Sequence, residues 1–346
     1  MIRTPVCELL GIEHPIALGG MGSIYSPPLV AAVSAAGGLG AMGCHQSNSE
    51  QIRSGTAGIR ERTNKPFALN FLLFDIKEEC YATALALRPS VIALAWPRPE
   101  QDIKAYIKRA HDAGSKVTFM AGGVPEAARA ADCGADVIIA QGTEGGGHVG
   151  WQATLPLVPM VVDAVRPLPV LAAGGIADGR GLAAALALGA DGVLLGTRFL
   201  ATEESPLHPN FKQAIVDSDG HDTLLTEIPD IAAGKVWPGA MSRSRRNRFI
   251  ERWAGRDWAL RQQQHQALES IRRARQNGDI EEAPLSMGQD AGLIHDVPPA
   301  REIVERIARD AELILRQRLP AWSGKWEQCP RQLLKPREGG GPKSDG

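Results

Sequence analysis

From about position 14 to position 196, short apolar runs alternate with longer amphipathic stretches rich in Ala and Leu. The apolar runs lie at 14–18, 38–41, 66–70, 91–94, 116–120, 136–140, 169–172 and 192–195. Most are continuous rather than alternating, which is the pattern of parallel strands buried on both faces. Helical patterns such as 29–36 and 182–188 lie between them, and several stop at a glycine: Gly37, Gly114, Gly134 and Gly189. Glycine ends a helix readily because it enters the left-handed region at no steric cost. Two of these stops, Cys133-Gly134-Ala135-Asp136 and Leu188-Gly189-Ala190-Asp191, are nearly identical, and each leads into a strand. The eight β–α steps predict an α/β fold, a (β/α)8 TIM barrel rather than an open sheet.

The stretch 206–284 breaks this rhythm. It contains Trp237-Pro238-Gly239, a basic run at 243–248 and a polar, helix-like segment at 261–277. The pattern predicts a mostly helical insertion after the eighth strand. The chain then returns with Leu285-Ser286-Met287-Gly288-Gln289-Asp290, and an amphipathic helix over 299–318 closes it. The barrel domain is therefore expected over 1–205 and 285–320, the insertion over 206–284, and a disordered tail over 335–346.

Composition narrows the functional classes. Lys+Arg 38 against Asp+Glu 39 leaves a net charge of -1, so no global field favours nucleic acid or an anionic membrane. The basic run has no aromatic interleaving beyond Phe249, and Glu251 and Asp257 follow it, so a solvated helix face or intersubunit ion pairs are expected there. No apolar stretch is long enough to span a bilayer and no leader pattern opens the chain, which predicts a cytoplasmic protein. The five scattered cysteines read as reduced thiols. No metal-ligand spacing and no Gly-x-Ser-x-Gly elbow is present.

The chemistry concentrates in three glycine-rich loops after the last three strands. They are Gly142-Thr143-Glu144-Gly145-Gly146-Gly147-His148-Val149-Gly150, then Ala173-Gly174-Gly175-Ile176-Ala177-Asp178-Gly179, then Gly196-Thr197-Arg198. Glycine lets backbone N–H groups close on a phosphate, and loops after strands seven and eight are a barrel's usual phosphate site. Asp178 is placed to cap the following helix. His148, on the remaining loop, is the candidate for proton transfer or substrate binding near neutral pH. His14 starts a strand and reads as structural, His45 as a surface histidine, and Trp96 and Trp151 as rim residues. The combination predicts a barrel enzyme with a phosphorylated cofactor.

The chain also resembles the nitronate monooxygenase family, whose barrel is shared with FMN-containing enoyl-reductases and some NADH:quinone reductases. The resemblance is carried, in order, by His14-Pro15-Ile16, Gly19-Gly20-Met21-Gly22, Ala35-Ala36-Gly37-Gly38-Leu39-Gly40, Glu144-Gly145-Gly146-Gly147-His148, Ala172-Ala173-Gly174-Gly175-Ile176-Ala177-Asp178-Gly179, Gly196-Thr197-Arg198-Phe199 and Gly288-Gln289-Asp290-Ala291-Gly292. It implies FMN along Gly20, Met21 and Gly22, with Asn70, Gln141 and Gly146 at the ring or ribityl chain. Ala173, Gly174, Gly175, Gly196 and Thr197 would hold the phosphate through N–H groups and one hydroxyl. Trp96 and Gln289 would border the substrate. Met120 and Leu72 stand where some relatives carry a polar residue. Ala95-Trp96-Pro97-Arg98-Pro99 departs from the loop typical of the enoyl-reductases. The implied reaction takes an alkyl nitronate and dioxygen to a carbonyl compound and nitrite. The alternatives are an NAD(P)H-dependent FMN reductase of quinones or enoyl thioesters, and a non-redox barrel that binds a phosphorylated ligand. The insertion offers a surface for a homodimer.

Overall fold

A computed structural model describes residues 2–21 and 25–321, so Gly22 and the expected tail at 335–346 lie outside the described residues. Six strands come first: β1 (Ile16–Leu18), β2 (Gly40–Gly43), β3 (Phe67–Leu72), β4 (Val91–Ala95), β5 (Lys116–Ala121) and β6 (Val137–Gln141). A short strand β7 (Gly147–Val149) follows within a loop, and then come β8 (Val170–Ala173) and β9 (Gly192–Leu195). All of these except β7 form one parallel sheet, ordered β1-β9-β8-β6-β5-β4-β3-β2. A parallel bridge between Ala17 and Leu39 closes the ring, with Leu18 N–H donating to Leu39 O and Leu39 N–H to Ile16 O, both at 2.9 Å. Each of the eight barrel strands overlaps one of the eight apolar runs, with ends shifted by up to two residues.

Period-two alternation sorts the strand side chains into two layers. Ala68 in β3, Val91 and Ala93 in β4, and Val137 and Ile139 in β6 face the lumen, which also holds Val6, Cys7 and Leu10 from the helix Pro5–Leu10. Their neighbours Leu69, Ile92, Leu94 and Ile138 pack outward beneath the helices. Gly37, Gly114, Gly134 and Gly189 all have φ between +86° and +98°, as the helix stops require. Asp178 caps the helix Gly179–Ala187 by accepting from the N–H groups of Arg180 and Gly181.

The excursion after β9 carries helices, among them Pro209–Val216, Ile228–Ala233 and Gln264–Asn277. It also carries strands β10 (Thr223–Thr226) and β11 (Met241–Arg245), which build an antiparallel sheet with β7 in the order β10-β11-β7. This corrects the expectation for the basic run, whose first three residues lie in β11 rather than on a solvated helix. Arg243 is 7% exposed and donates to Thr143 O and Thr223 Oγ1. Arg245 pairs with Asp222 and Glu281. Arginines hid a strand whose alternate residues, Ser242 and Ser244, are buried. The closing helix Ala300–Leu313 then packs on the helix Gly179–Ala187. Among the described residues no helix is long and apolar enough to cross a membrane.

Candidate active site

The lumen-facing registers end in polar side chains at the C-terminal mouth. Ala68 is followed two residues on by Asn70, and Ile139 by Gln141. Asn70 is 6% exposed and donates to Ala93 O at 3.3 Å. Gly20 lies directly against it: a Cβ at position 20 would sit 2.3 Å from that of Asn70. Gln141 is also buried, and its Oε1 has no hydrogen-bond partner among the described residues. An orphaned buried acceptor carries a desolvation cost that a ligand donor would relieve.

Beside these, Gly174 and Gly175 take φ of +96° and +72°, the left-handed conformations that glycine alone adopts readily. The N–H groups of Gly174, Gly175 and Gly196 donate to none of the described residues. A Cβ on Gly196 would meet nothing within 4 Å. Thr197 opens the short helix Thr197–Leu200, so its N–H has no acceptor within the helix. The Thr197 hydroxyl accepts from Gly288 N–H at 2.9 Å, a bond that does not use its own O–H as a donor. Glu144 ties the neighbouring loop down by accepting from Thr154 N–H and Oγ1. Gly146 lets that loop press on the returning segment, since a Cβ there would lie 2.6 Å from Met287 Cα.

His148 sits in β7, paired with Ser242 of β11. Its Nε2 lies 2.9 and 3.0 Å from the two carboxylate oxygens of Asp230. The indole of Trp237 stacks on the imidazole, with centroids 3.3 Å apart and planes at 9°. Trp237 also packs on Phe74 (4.7 Å) and Trp96 (6.1 Å), and Leu72, Ala95, Met120 and Ala240 complete the apolar wall. Trp96 holds φ +54°, a strained value for a bulky residue, and projects from the end of β4 into this cluster. Leu72 and Met120, where polar contacts were in question, thus serve as apolar lining.

The same cluster takes in His45, so the expected surface histidine is corrected to a buried one, with its side chain 4% exposed. Burial lowers its pKa to about 4, and the nearby Lys235 charge pushes the same way. Lys235 Nζ lies 3.1 Å from His45 Nε2 and 2.7 Å from Asp75 Oδ2. Burial opposes ionisation of Asp75, but its hydrogen bond to Lys235 and the charges of Lys235, His45 and Lys77 together outweigh that and hold the pKa low. Trp151 stands apart, 67% exposed. Gln289 is also exposed; its backbone N–H donates to Glu144 O, and its side chain is not in the aromatic cluster. Its neighbour Asp290 is 5% exposed beside Thr197, and burial lifts its pKa to about 7 against the Thr197 hydroxyl and the Arg198 charge.

The family model for nitronate monooxygenase matches residues 3–84 and 81–310. The chain belongs to the nitronate monooxygenase family. It is accordingly a flavin-dependent oxidoreductase. A probable nitronate monooxygenase of Staphylococcus aureus is 32% identical, covering 91% of this chain and 99% of that protein. A Mycobacterium tuberculosis relative named (3aS,4S,5R,7aS)-5-hydroxy-7a-methyl-1-oxo-octahydro-1H-indene-4-carboxyl-CoA dehydrogenase is 33% identical, covering 90% and 96%. Among solved structures, FabK from Thermotoga maritima superposes with a TM-score of 0.83 at 35% identity, covering 93% of this chain and all of that one. Nitroalkane oxidase from Streptomyces ansochromogenes gives 0.77 at 28% identity, covering 88% and 97%.

At the mouth of this barrel, the structure adds residues that sequence reasoning passed over: Asp230, Lys235, Trp237 and Asp75. Of these, only Trp237-Pro238-Gly239 had marked itself as unusual. Asp230 lies in a helix far along the chain, and no spacing rule connects it to His148.

Proposed function

We propose that the protein is an FMN-dependent nitronate monooxygenase that converts an alkyl nitronate and dioxygen to a carbonyl compound and nitrite. The observation that carries this reading is the His148–Asp230 pair at the barrel mouth, within a chain of this family. FMN bound at the mouth would accept electrons from the substrate and pass them to dioxygen. The residues fit that cofactor. Gly174, Gly175, Gly196 and Thr197 offer backbone N–H groups to one terminal phosphate, with Ala173 at the strand end below them. Gln141 Oε1 offers an unpaired acceptor, and Gly20, Met21, Asn70 and Gly146 border the space beside it.

His148 holds the proton inventory. With Nε2–H donated to the Asp230 carboxylate, the lone pair resides on Nδ1. Nδ1 removes the α-proton when a neutral nitroalkane binds, and Asp230 stabilises the resulting imidazolium while fixing the ring. Phe74, Trp96 and Trp237 wall the substrate and exclude water.

A second reading is redox chemistry on an acyl thioester, with NAD(P)H as electron donor. The identity to the M. tuberculosis relative named a carboxyl-CoA dehydrogenase supports the thioester part of this reading. Anaerobic addition of an alkyl nitronate, NADH and NADPH, each to a separate sample, separates the two. Bleaching of the flavin by the nitronate, followed by nitrite release when oxygen is admitted, is the expected result. Bleaching by NADH or NADPH but not by the nitronate would replace the first reading with the second.

A further inference from the structure

Two nitrogen atoms in the aromatic cluster are buried without a hydrogen-bond partner: Nδ1 of His45 and Nε1 of Trp237. Lys235 decides what the first one carries. Its ammonium can only donate, so at 3.1 Å it makes His45 Nε2 the acceptor, and the proton of the neutral ring must sit on Nδ1. Asp75 Oδ2 is 3.7 Å from Nδ1, beyond hydrogen-bond reach, and already accepts from Lys235. The Trp237 indole nitrogen is a donor only. The cluster therefore buries two N–H groups with no acceptor among the described residues, against a wall of Leu72, Phe74, Ala95 and Trp96.

Burying one unpaired donor costs free energy, and two within one cluster of packed rings would both gain from an acceptor supplied by a ligand. Trp237 stacks its ring on that of His148, and its centroid is 6.3 Å from that of His45. The segment that carries it is bounded by Gly234 and Gly239, with φ of +65° and +73°. Nothing lies within 4 Å of where a Cβ on Gly239 would be, so the strand entry at that end is unobstructed.

We propose that His45 Nδ1–H and Trp237 Nε1–H form an oxyanion subsite that receives the two oxygens of the substrate's nitronate group beside His148. The proposal rests on the nitronate reading and deepens it. Loss of the α-proton moves negative charge from carbon onto those oxygens, where preorganised N–H donors stabilise it most. Lys235 acts as a positioning residue by fixing the His45 tautomer. A ligand without oxygens at that position would leave both donors unpaired, which makes the pair a specificity filter as well.

Nitrate, a planar oxyanion that cannot be turned over as a nitronate, is the probe. Flavin-loaded protein is titrated with sodium nitrate by calorimetry, and the indole N–H resonances are followed by NMR. The expected result is saturable binding that weakens about tenfold or more in both Trp237→Phe and His45→Phe, the usual effect of losing a hydrogen bond to a charged group. The indole signal missing from the Trp237→Phe spectrum should move downfield as nitrate is added. Lys235→Met removes the cation that fixes the tautomer and leaves Asp75 without its partner beside Nδ1; both changes should weaken nitrate, so the variant serves if His45→Phe does not fold. Absence of nitrate binding to the wild type, or wild-type affinity in the variants, overturns the subsite. Either outcome leaves flavin bleaching by a nitronate untouched, so failure here is distinct from failure of the functional reading.

Discussion

Asp230 reaches back across 82 residues of chain to set both carboxylate oxygens against Nε2 of His148. The two elements meet because β7 and β11 pair, with Ser242 opposite His148. The excursion thus supplies the partner of the candidate base as well as its aromatic cover.

Replacing Asp230 with Asn keeps an acceptor for Nε2–H but removes the charge that stabilises the imidazolium. Turnover of neutral nitroalkanes should fall by roughly 10²–10⁴-fold, and turnover of preformed nitronates by less. His148→Asn should show the same asymmetry, and the double variant should be little worse than the poorer single one. The measurement is kcat/KM for both substrate forms at matched flavin content. Equal losses on the two forms would show that the pair acts through binding alone.

Gly175 takes φ +72°, and a Cβ there would lie 3.2 Å from that of Glu144. Gly175→Asp adds backbone strain, a steric conflict and a negative charge where a phosphate is proposed to bind. Folded variant should purify with almost no flavin, read from the ratio of visible to ultraviolet absorbance. Full occupancy would remove these loops from the cofactor site.

Gln141→Leu tests the orphaned Oε1. The apoprotein should gain about 1–3 kcal/mol in stability, because an unsatisfied buried acceptor is removed. Flavin affinity should drop about tenfold, because the acceptor is lost to the cofactor. Urea unfolding of apoprotein and a flavin titration give the two numbers. A loss of stability with unchanged affinity would mean that Gln141 serves the fold instead.

Burial raises the Asp290 pKa to about 7 in the folded chain, well above the ordinary aspartate value of about 4. Between these values the unfolded chain has released the proton and the folded chain still holds it. The contribution of this carboxyl to stability is therefore full below about pH 4 and is lost as pH rises toward 7. In Asp290→Asn that part of the pH slope should vanish. Urea midpoints of both apoproteins at pH 5, 6 and 7 provide the check, and parallel slopes would refute it.

The barrel was legible because each of its strands is a local signal: an apolar run after a glycine stop, repeated until the ring closes. The glycine loops at the barrel mouth were legible for the same reason, since Gly174, Gly175 and Gly196 stand next to the strands that present them. The rest of the mouth is assembled from separated positions. His45 looked exposed because its burial comes from Lys235 and Trp237, about 190 residues downstream. β11 was hidden because Arg243 and Arg245 read as polar surface, although Arg243 lies inside with its guanidinium on Thr143 O. The bond from Gly288 N–H to the Thr197 hydroxyl joins positions 91 residues apart, which no local pattern announces.

The excursion leaves the barrel after β9, and the closing helix Ala300–Leu313 is reached only after the chain has passed through it. On the ribosome, Asp230, Lys235 and Trp237 therefore emerge before the last helix of the barrel wall. A nascent chain has its gatehouse in hand before its masonry is finished. The order of manufacture leaves no stage at which a completed barrel stands with its doorway still to be made.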